Sequence, residues 1–283
     1  MAAYRIPFDV VVEILVCLPV KTILPFKSVC KDWCNLINSP LFIQLHLNKS
    51  LLFNFGHNRT LFYANDDSLC VVDDIYRPSK LIKLYWPKDI IRNCEYLYTV
   101  GSCNGLVCLR VTSSKYIDTD VLCFLICNPS TRTFKFKPNF RFTNLTRWEI
   151  NRLTYGFGYD GRHDDYKIVT CNYLEDRVQD DVYIYSFKAD SWKCTSHTLA
   201  ESSIKICCPK LNKSVVCANN MLHYLVYSLM DDYNTDTNYR IARFDLSSET
   251  WRDDLSFPPV EEVWAWSIRR LFIPRSWGKA WSP

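Results

Sequence analysis

The chain has 283 residues, 48% of them hydrophobic and 23% charged, with a formal net charge of +4. That length suits one large domain, or a small one followed by a large one. The balance is that of a packed globular protein, and so small a charge, with Lys and Arg scattered among acids, gives no footing for nucleic-acid binding. No stretch approaches 18 uncharged apolar residues, so no membrane-spanning helix is expected. The apolar run in residues 1–20 is broken by Asp9 and Glu13 and precedes no small-residue cleavage site, so no secretory leader is expected either. Without export, the 14 cysteines read as free thiols of a reducing, intracellular protein rather than as disulfides. Cys17, Cys70, Cys108, Cys123, Cys127 and Cys217 lie inside apolar runs, where free cysteine behaves as a small buried hydrophobe. No Cys-x-x-Cys pair exists, so neither a metal site nor a cofactor is expected.

The only compactly helical stretch is Arg5 to Leu47. Val11, Ile14, Leu15 and Leu18 make an apolar stripe on a helix from about Phe8 to Cys17. Pro7 stands just before it, Asp9 and Glu13 lie in its first half, and Pro19 stops it. A second pattern runs through Ile23, Leu24, Phe26 and Val29, and a third through Cys30, Trp33, Leu36 and Ile37. Ser39-Pro40 closes the third, because a residue before proline is pushed out of the helical region. Pro25 should mark a second helix that starts late, with Thr22 as its N-cap, so that no intrahelical N–H bond is lost. Three such short helices carry more apolar surface than they can bury among themselves, so the surplus must face a partner or the rest of the chain.

The residues Ile6-Pro7, Ile14-Leu15, Leu18-Pro19-Val20-Lys21, Phe26-Lys27, Val29-Cys30-Lys31, Trp33, Leu36-Ile37 and Ser39-Pro40-Leu41-Phe42 resemble the plant F-box motif in order and spacing. Ile6 replaces the usual Leu, and Pro25 stands where the family has Arg. The resemblance implies docking on a Skp-type adaptor and, through it, a cullin scaffold. The residues expected to make the contact are Pro7, Ile14, Leu15, Leu18, Pro19, Leu24 and Trp33.

After Leu47 the pattern becomes strand-like. Runs of four to seven apolar or aromatic residues are bounded by Asn, Asp, Ser, Gly and Pro. Strands are expected at Leu51–Phe55, Leu61–Ala64, Leu69–Val72, Leu81–Tyr85, Leu106–Val111, Val121–Cys127, Thr133–Phe136, Leu153–Gly158, Tyr166–Cys171, Val182–Phe187, Ser191–Thr195, Met221–Tyr227, Tyr239–Phe244 and Thr250–Asp253. Three hairpins share a template: a polar residue opens the turn and an aromatic follows six positions later. The openers Asn128, Ser186 and Asp245 are 58 and 59 residues apart, as are the aromatics Phe134, Trp192 and Trp251. A unit of that size with about four strands fits a propeller blade, the aromatics packing between neighbouring blades, and the chain has room for about four.

This half resembles the F-box-associated region of plant F-box proteins, through Gly101–Val107, Asn128–Arg132, Gly156–Asp160, Asp165–Val169, Val182–Ser186, Asp190-Ser191-Trp192, and Phe244-Asp245-Leu246 with Trp251. The C-terminal run after Pro259 departs from the family pattern and reads as a truncated or frame-shifted end. The expected architecture is therefore α+β: a three-helix F-box over residues 1–47 and an all-β, propeller-like (kelch-like) repeat over 48–283. The implied function is substrate recognition in a Skp–cullin–F-box ubiquitin ligase of the cytoplasm or nucleus. The family's branches include self-incompatibility and defence proteins, and the residues do not choose between them. An unknown protein target would lie on inter-hairpin loops, with Arg141, Arg147, Trp148, Arg177 and Tyr233 as its candidate contacts. A degenerate paralogue that binds only the adaptor is one alternative. A propeller enzyme is another, but no convergent carboxylate pair or activated nucleophile stands out. His163, in the turn Gly161–Lys167, reads as a solvated turn residue rather than a general base.

Overall fold

A computed structural model of the chain describes residues 6–53, 60–64, 68–72, 81–85, 96–112, 121–141, 153–171, 181–196, 204–206, 215–228 and 239–252. The chain divides into two compact units. One takes in Met1–Leu61, Cys70–Leu84 and Asn128–Thr133, and the other takes in Phe62–Leu69, Tyr85–Cys127 and Phe134–Pro283.

The first unit opens with helix α1 (Phe8–Val16), followed by α2 (Val20–Ile23), a 3-10 segment (Leu24–Ser28), α3 (Lys31–Asn38) and α4 (Pro40–Phe53). Pro7 and Pro19 precede α1 and α2 in extended backbone. Their carbonyls accept the first helical N–H groups, Val10 and Val11 on Pro7, Thr22 and Ile23 on Pro19. Thr22 is thus inside α2 and does not cap it. The second helix starts early, and at Pro25, which has no N–H to extend an α ladder, it tightens into the 3-10 segment. Ser39 is extended, as the following proline demands, and its Oγ accepts the Phe42 N–H at 3.2 Å, capping α4. α4 runs through Leu51–Phe53, where a strand was expected, so a fourth helix joins the three read from the sequence.

The unit's core is Leu15, Val16, Ile23, Ile37 and Phe42, flanked by Val11, Val12, Leu18, Phe26, Trp33 and Leu36. The inward face of α1 is therefore Val11, Val12, Leu15 and Val16, and Ile14 points away from it. Trp33 stands edge-on to Phe26 at 5.7 Å. His46, stacked on Phe42, bonds the Leu18 carbonyl through Nε2 at 2.8 Å and ties α4 to the end of α1.

The remaining elements are strands: β1 (Thr60–Ala64), β2 (Ser68–Val72), β3 (Leu81–Tyr85), β4 (Tyr96–Cys103), β5 (Leu106–Thr112), β6 (Val121–Asn128), β7 (Thr133–Arg141), β8 (Thr154–Asp160), β9 (Asp165–Cys171), β10 (Asp181–Ser186), β11 (Ser191–Ser196), β12 (Ile204–Ile206), β13 (Val216–Ala218), β14 (Met221–Ser228), β15 (Tyr239–Asp245) and β16 (Thr250–Arg252). They form four sheets in chain order: β1-β2-β3, β4-β5-β6-β7, β8-β9-β10-β11, and a fourth running β14-β15-β16 with β12 and β13 both on the free side of β14. The second and third sheets open 58 residues apart, at Tyr96 and Thr154, matching the expected repeat. Three strands were not expected: β4, β12 and β13. A bulge between Thr99 and Gly101 breaks the alternation in β4, and the other two are three residues long.

The second and third sheets are simple meanders, each beginning with its innermost strand, β4 or β8. In the second unit β4, β8 and β13 pack together. Gly156 and Gly158 allow it: a Cβ on Gly158 would lie 2.7 Å from Leu246 Cδ1 and 2.8 Å from Cys217 Sγ. One apolar cluster joins the second and third sheets through Val100, Cys108, Phe124, Leu153, Phe157 and Ile168. Another joins the third and fourth through Val169, Ile184, Val215, Leu222, Tyr224 and Phe244. Trp192 packs on Phe124 of the preceding sheet, as expected of an inter-blade aromatic. Trp251 instead has its ring contacts, Tyr224 and Phe244, inside its own sheet. The run after Pro259 lies outside the described residues.

Candidate docking surface and the turn network

The helical unit leaves much apolar surface uncovered. Val10 and Ile14, one turn apart on the outer face of α1, are 45% and 50% exposed, and Ile6, Phe8, Val29, Leu41, Ile43 and Leu45 are also open. Of the seven residues read as adaptor contacts, Pro7, Ile14 and Pro19 are exposed, and Leu18, Leu24 and Trp33 are half-buried. Leu15 is only 1% exposed. It is a core residue, clustered with Val16, Ile23, Ile37 and Phe42, and it can serve a contact only by holding α1 in place. The open residues on α4 were missed because the helix itself was missed. Val10, beside Ile14 on the outer face of α1, is not among the seven expected contacts.

Among the candidate target residues, Arg141 ends β7. Arg147, Trp148, Arg177 and Tyr233 lie outside the described residues.

The strand-forming part of the chain carries a set of like turns. The openers Asn128, Asp160, Ser186 and Asp245 each start a four-residue turn whose last residue, Arg132, Asp164, Asp190 or Glu249, has positive φ (50–57°). In each, the opener's side-chain oxygen accepts backbone N–H groups of the turn: for Asn128, those of Ser130 (3.0 Å) and Thr131 (3.2 Å); for Asp245, those of Ser247 (2.8 Å) and Ser248 (3.1 Å). Ser186 Oγ takes Ala189 N–H at 3.0 Å. The fourth turn, at Asp160, has Tyr166 as its aromatic and had not been recognised as a member of the repeat. The alternate hairpins use two-residue turns with both residues at positive φ, Asn104-Gly105 and Asn219-Asn220.

Two of these turns meet across the third and fourth sheets. Lys167, 4% exposed, donates to Asp160 Oδ2 (2.8 Å), the Leu246 carbonyl (2.7 Å) and Glu249 Oε1 (2.9 Å). Asp160, fully buried, also accepts from Ser247 Oγ (2.6 Å), from the Arg162 and His163 N–H groups, and from His163 Nδ1 (2.7 Å). Glu249 pairs in addition with Lys193. Asn220 bridges the Gly161 N–H and Ser247 Oγ. Burial pushes the Asp160 carboxyl up, but the bonds from Lys167, Ser247 and His163 outweigh it and hold it well below the usual range. Glu249 is lowered in the same way, burial being outweighed by Lys193 and Lys167.

The arrangement is closed. The Lys167 ammonium has three acceptors, and the Asp160 carboxylate has donors on both oxygens. Ser247 Oγ donates to Asp160 and not to His163, so it is not poised as a nucleophile beside a base. His163 is more than half exposed and tethered at the turn. Among the described residues no group of three or more His, Cys, Asp or Glu could hold a metal ion, and no helix is long and apolar enough to cross a membrane.

Comparison with known proteins places both halves. The F-box domain family matches residues 4–45, and the family described as the F-box associated beta propeller domain matches residues 61–260. Similar proteins of Arabidopsis thaliana include an F-box/kelch-repeat protein, 26% identical over 88% of this chain and 65% of the relative. An F-box protein is 27% identical over 96% and 70%, and F-box protein CPR1 is 31% identical over 66% and 44%. The chain thus spans about two thirds, or less, of the length of these relatives. With an F-box at its head and an F-box associated β-propeller domain over most of its length, the chain belongs to the plant F-box protein family.

Proposed function

We propose that the chain is a substrate-recognition subunit of a Skp–cullin–F-box ubiquitin ligase. Residues 1–47 would dock a Skp-type adaptor, and residues 48–283 would hold a protein target; α4 carries the first part on to Phe53. The observation that carries the reading is the open apolar face of the F-box unit. Ile14, Val10, Pro7 and Pro19, with Leu18, Leu24 and Trp33 partly open beside them, would be covered by the adaptor. Ubiquitin transfer would then follow from proximity, with no catalytic group required of this chain. The closed Asp160–Lys167–Glu249 network fits a scaffold better than an active site. On this reading the chain works in the cytoplasm or nucleus, needs no cofactor, and meets its target through loops at one end of the sheets. A role in self-incompatibility or defence remains a narrower form of the same proposal.

The test is retention of full-length chain on an immobilised Skp-type adaptor. Wild type should be retained, and Ile14→Glu combined with Pro19→Ala should not be, with the far-UV circular dichroism unchanged. Equal retention of both would overturn the docking surface, and no retention of wild type would overturn the reading.

A further inference from the structure

Cys103 ends β4 and Cys217 lies in β13, 114 residues apart in sequence, yet their Sγ atoms are 3.8 Å apart with one thiol donating to the other. Both are half-buried, whereas Cys108, Cys123, Cys127 and Cys171 are fully enclosed. Cys217 had been expected among the enclosed thiols. The difference arises because β13 pairs with only the first three residues of β14, at the end where the two-residue turns emerge. The Tyr159 backbone, on the neighbouring strand β8, favours the thiolate form of both. The bond from Cys103 pulls the Cys217 thiol down to about 7, against the effect of burial. The same bond, together with burial, raises Cys103. One sulfur is thus set up as the more acidic partner and the other as its proton donor.

We propose that Cys103 and Cys217 are a peroxide-oxidisable pair that forms a disulfide stapling the second sheet to the fourth. The step balances with hydrogen peroxide as oxidant. The Cys217 thiolate attacks one peroxide oxygen, the O–O bond breaks, and Cys217 becomes a sulfenic acid as one water leaves. Cys103 sulfur then attacks the sulfenic sulfur, the S–O bond breaks, and the second water carries away the Cys103 proton. Two thiols and one peroxide give one disulfide and two waters. The sulfurs must close from 3.8 Å to a bond of about 2.05 Å, a side-chain movement at the rim of two adjacent inner strands. The staple would fasten β13, a three-residue strand, directly to β4.

The experiment treats reduced, native full-length chain with hydrogen peroxide, blocks remaining thiols with iodoacetamide, and digests with trypsin without reduction. The expected product joins the peptide Asn93–Arg110 to Ser214–Arg240. Fragmentation should place the bond on Cys103, not on Cys94 or Cys108 of the same peptide. Dithiothreitol should reverse it. The thermal midpoint should rise by about 5–10 °C on oxidation, and not in Cys103→Ser or Cys217→Ser. In Cys103→Ser the sulfenic acid at Cys217 should accumulate and take a dimedone label. Alkylation of both Cys103 and Cys217 after peroxide, or bonds formed only among other cysteines, would overturn the proposal. Because mapping is done on the wild-type chain, a variant that fails to fold does not shelter it.

Discussion

At the residue scale, neighbours in sequence have opposite duties. Ile14 is half exposed on α1 and Leu15 is buried beside it. Truncating Leu15 to Ala removes core contacts and should cost the helical unit about 2–5 kcal/mol, read as lost helical circular dichroism. Ile14→Glu should leave that signal unchanged and remove adaptor retention; if both variants lose helix together, Ile14 is not a surface residue. The sequence shows an apolar stripe here but assigns Ile14 to it, because spacings of three and four suit both edges of a wide face. Lys167 was less legible still. Lysine is rarely buried, and its partner Glu249 stands 82 residues away. Removing its charge as Lys167→Met leaves Asp160 enclosed without a cation, and should cost about 3–5 kcal/mol in urea denaturation. Lys193→Met, at the half-exposed other arm of Glu249, should cost about 1 kcal/mol or less. Equal losses would mean that Lys167 is more open to water than its geometry indicates.

At the element scale, the hairpin turn is the repeated device, and it was the most legible feature of the β half. Its signals are local: an oxygen-bearing opener, a left-handed residue four positions on, and an aromatic two positions later. The Asp160 turn escaped because its aromatic is Tyr166, stacked on Phe157, rather than Phe or Trp. The left-handed position is held by non-glycine residues at some conformational cost. Arg132→Gly should therefore stabilise the chain by about 0.5–1 kcal/mol, since relief of φ outweighs the added freedom of the unfolded chain. Glu249→Gly relieves the same backbone but deletes the acceptor of Lys167 and Lys193, so it should destabilise. A shared sign for both variants in thermal melts would show that backbone, not the ion network, governs that turn. Helix α4 was illegible for the converse reason. Leu41, Phe42, Ile43, Leu45 and Leu47 surround it with apolar residues, so no 3.6-residue period marks one face, and its last turn, from Leu51, reads as the start of a strand.

At the scale of the whole molecule, the polar groups that fasten the second unit share one titration behaviour. Four carboxyls are held below their usual range. In Asp160, Asp245 and Glu249 burial is outweighed by hydrogen bonds from Lys167, from Arg252 with the Ser248 and Ser247 N–H groups, and from Lys193 with Lys167. Asp190 is lowered by bonds from Lys137 and Tyr185. A carboxyl that is more acidic folded than unfolded stabilises the fold fully above its unfolded pKa, about 3.9 for Asp and 4.3 for Glu. That contribution is lost as pH falls from there through the lower folded value. Lys137 is raised by its bond to Asp190, and in Lys167 the bonds to Asp160 and Glu249 outweigh burial. Their contributions are present below the unfolded lysine value of about 10.4 and fade only as pH rises beyond it. These groups together predict a urea midpoint that they leave level between about pH 5 and 9 and that falls steeply below about pH 4. In Lys167→Met the acid limb should be shallower, because the pairing that lowers Asp160 is already gone. A wild-type midpoint that rises between pH 4 and 3, or an acid limb unchanged in Lys167→Met, would show that the buried carboxylates are not what fastens the third sheet to the fourth.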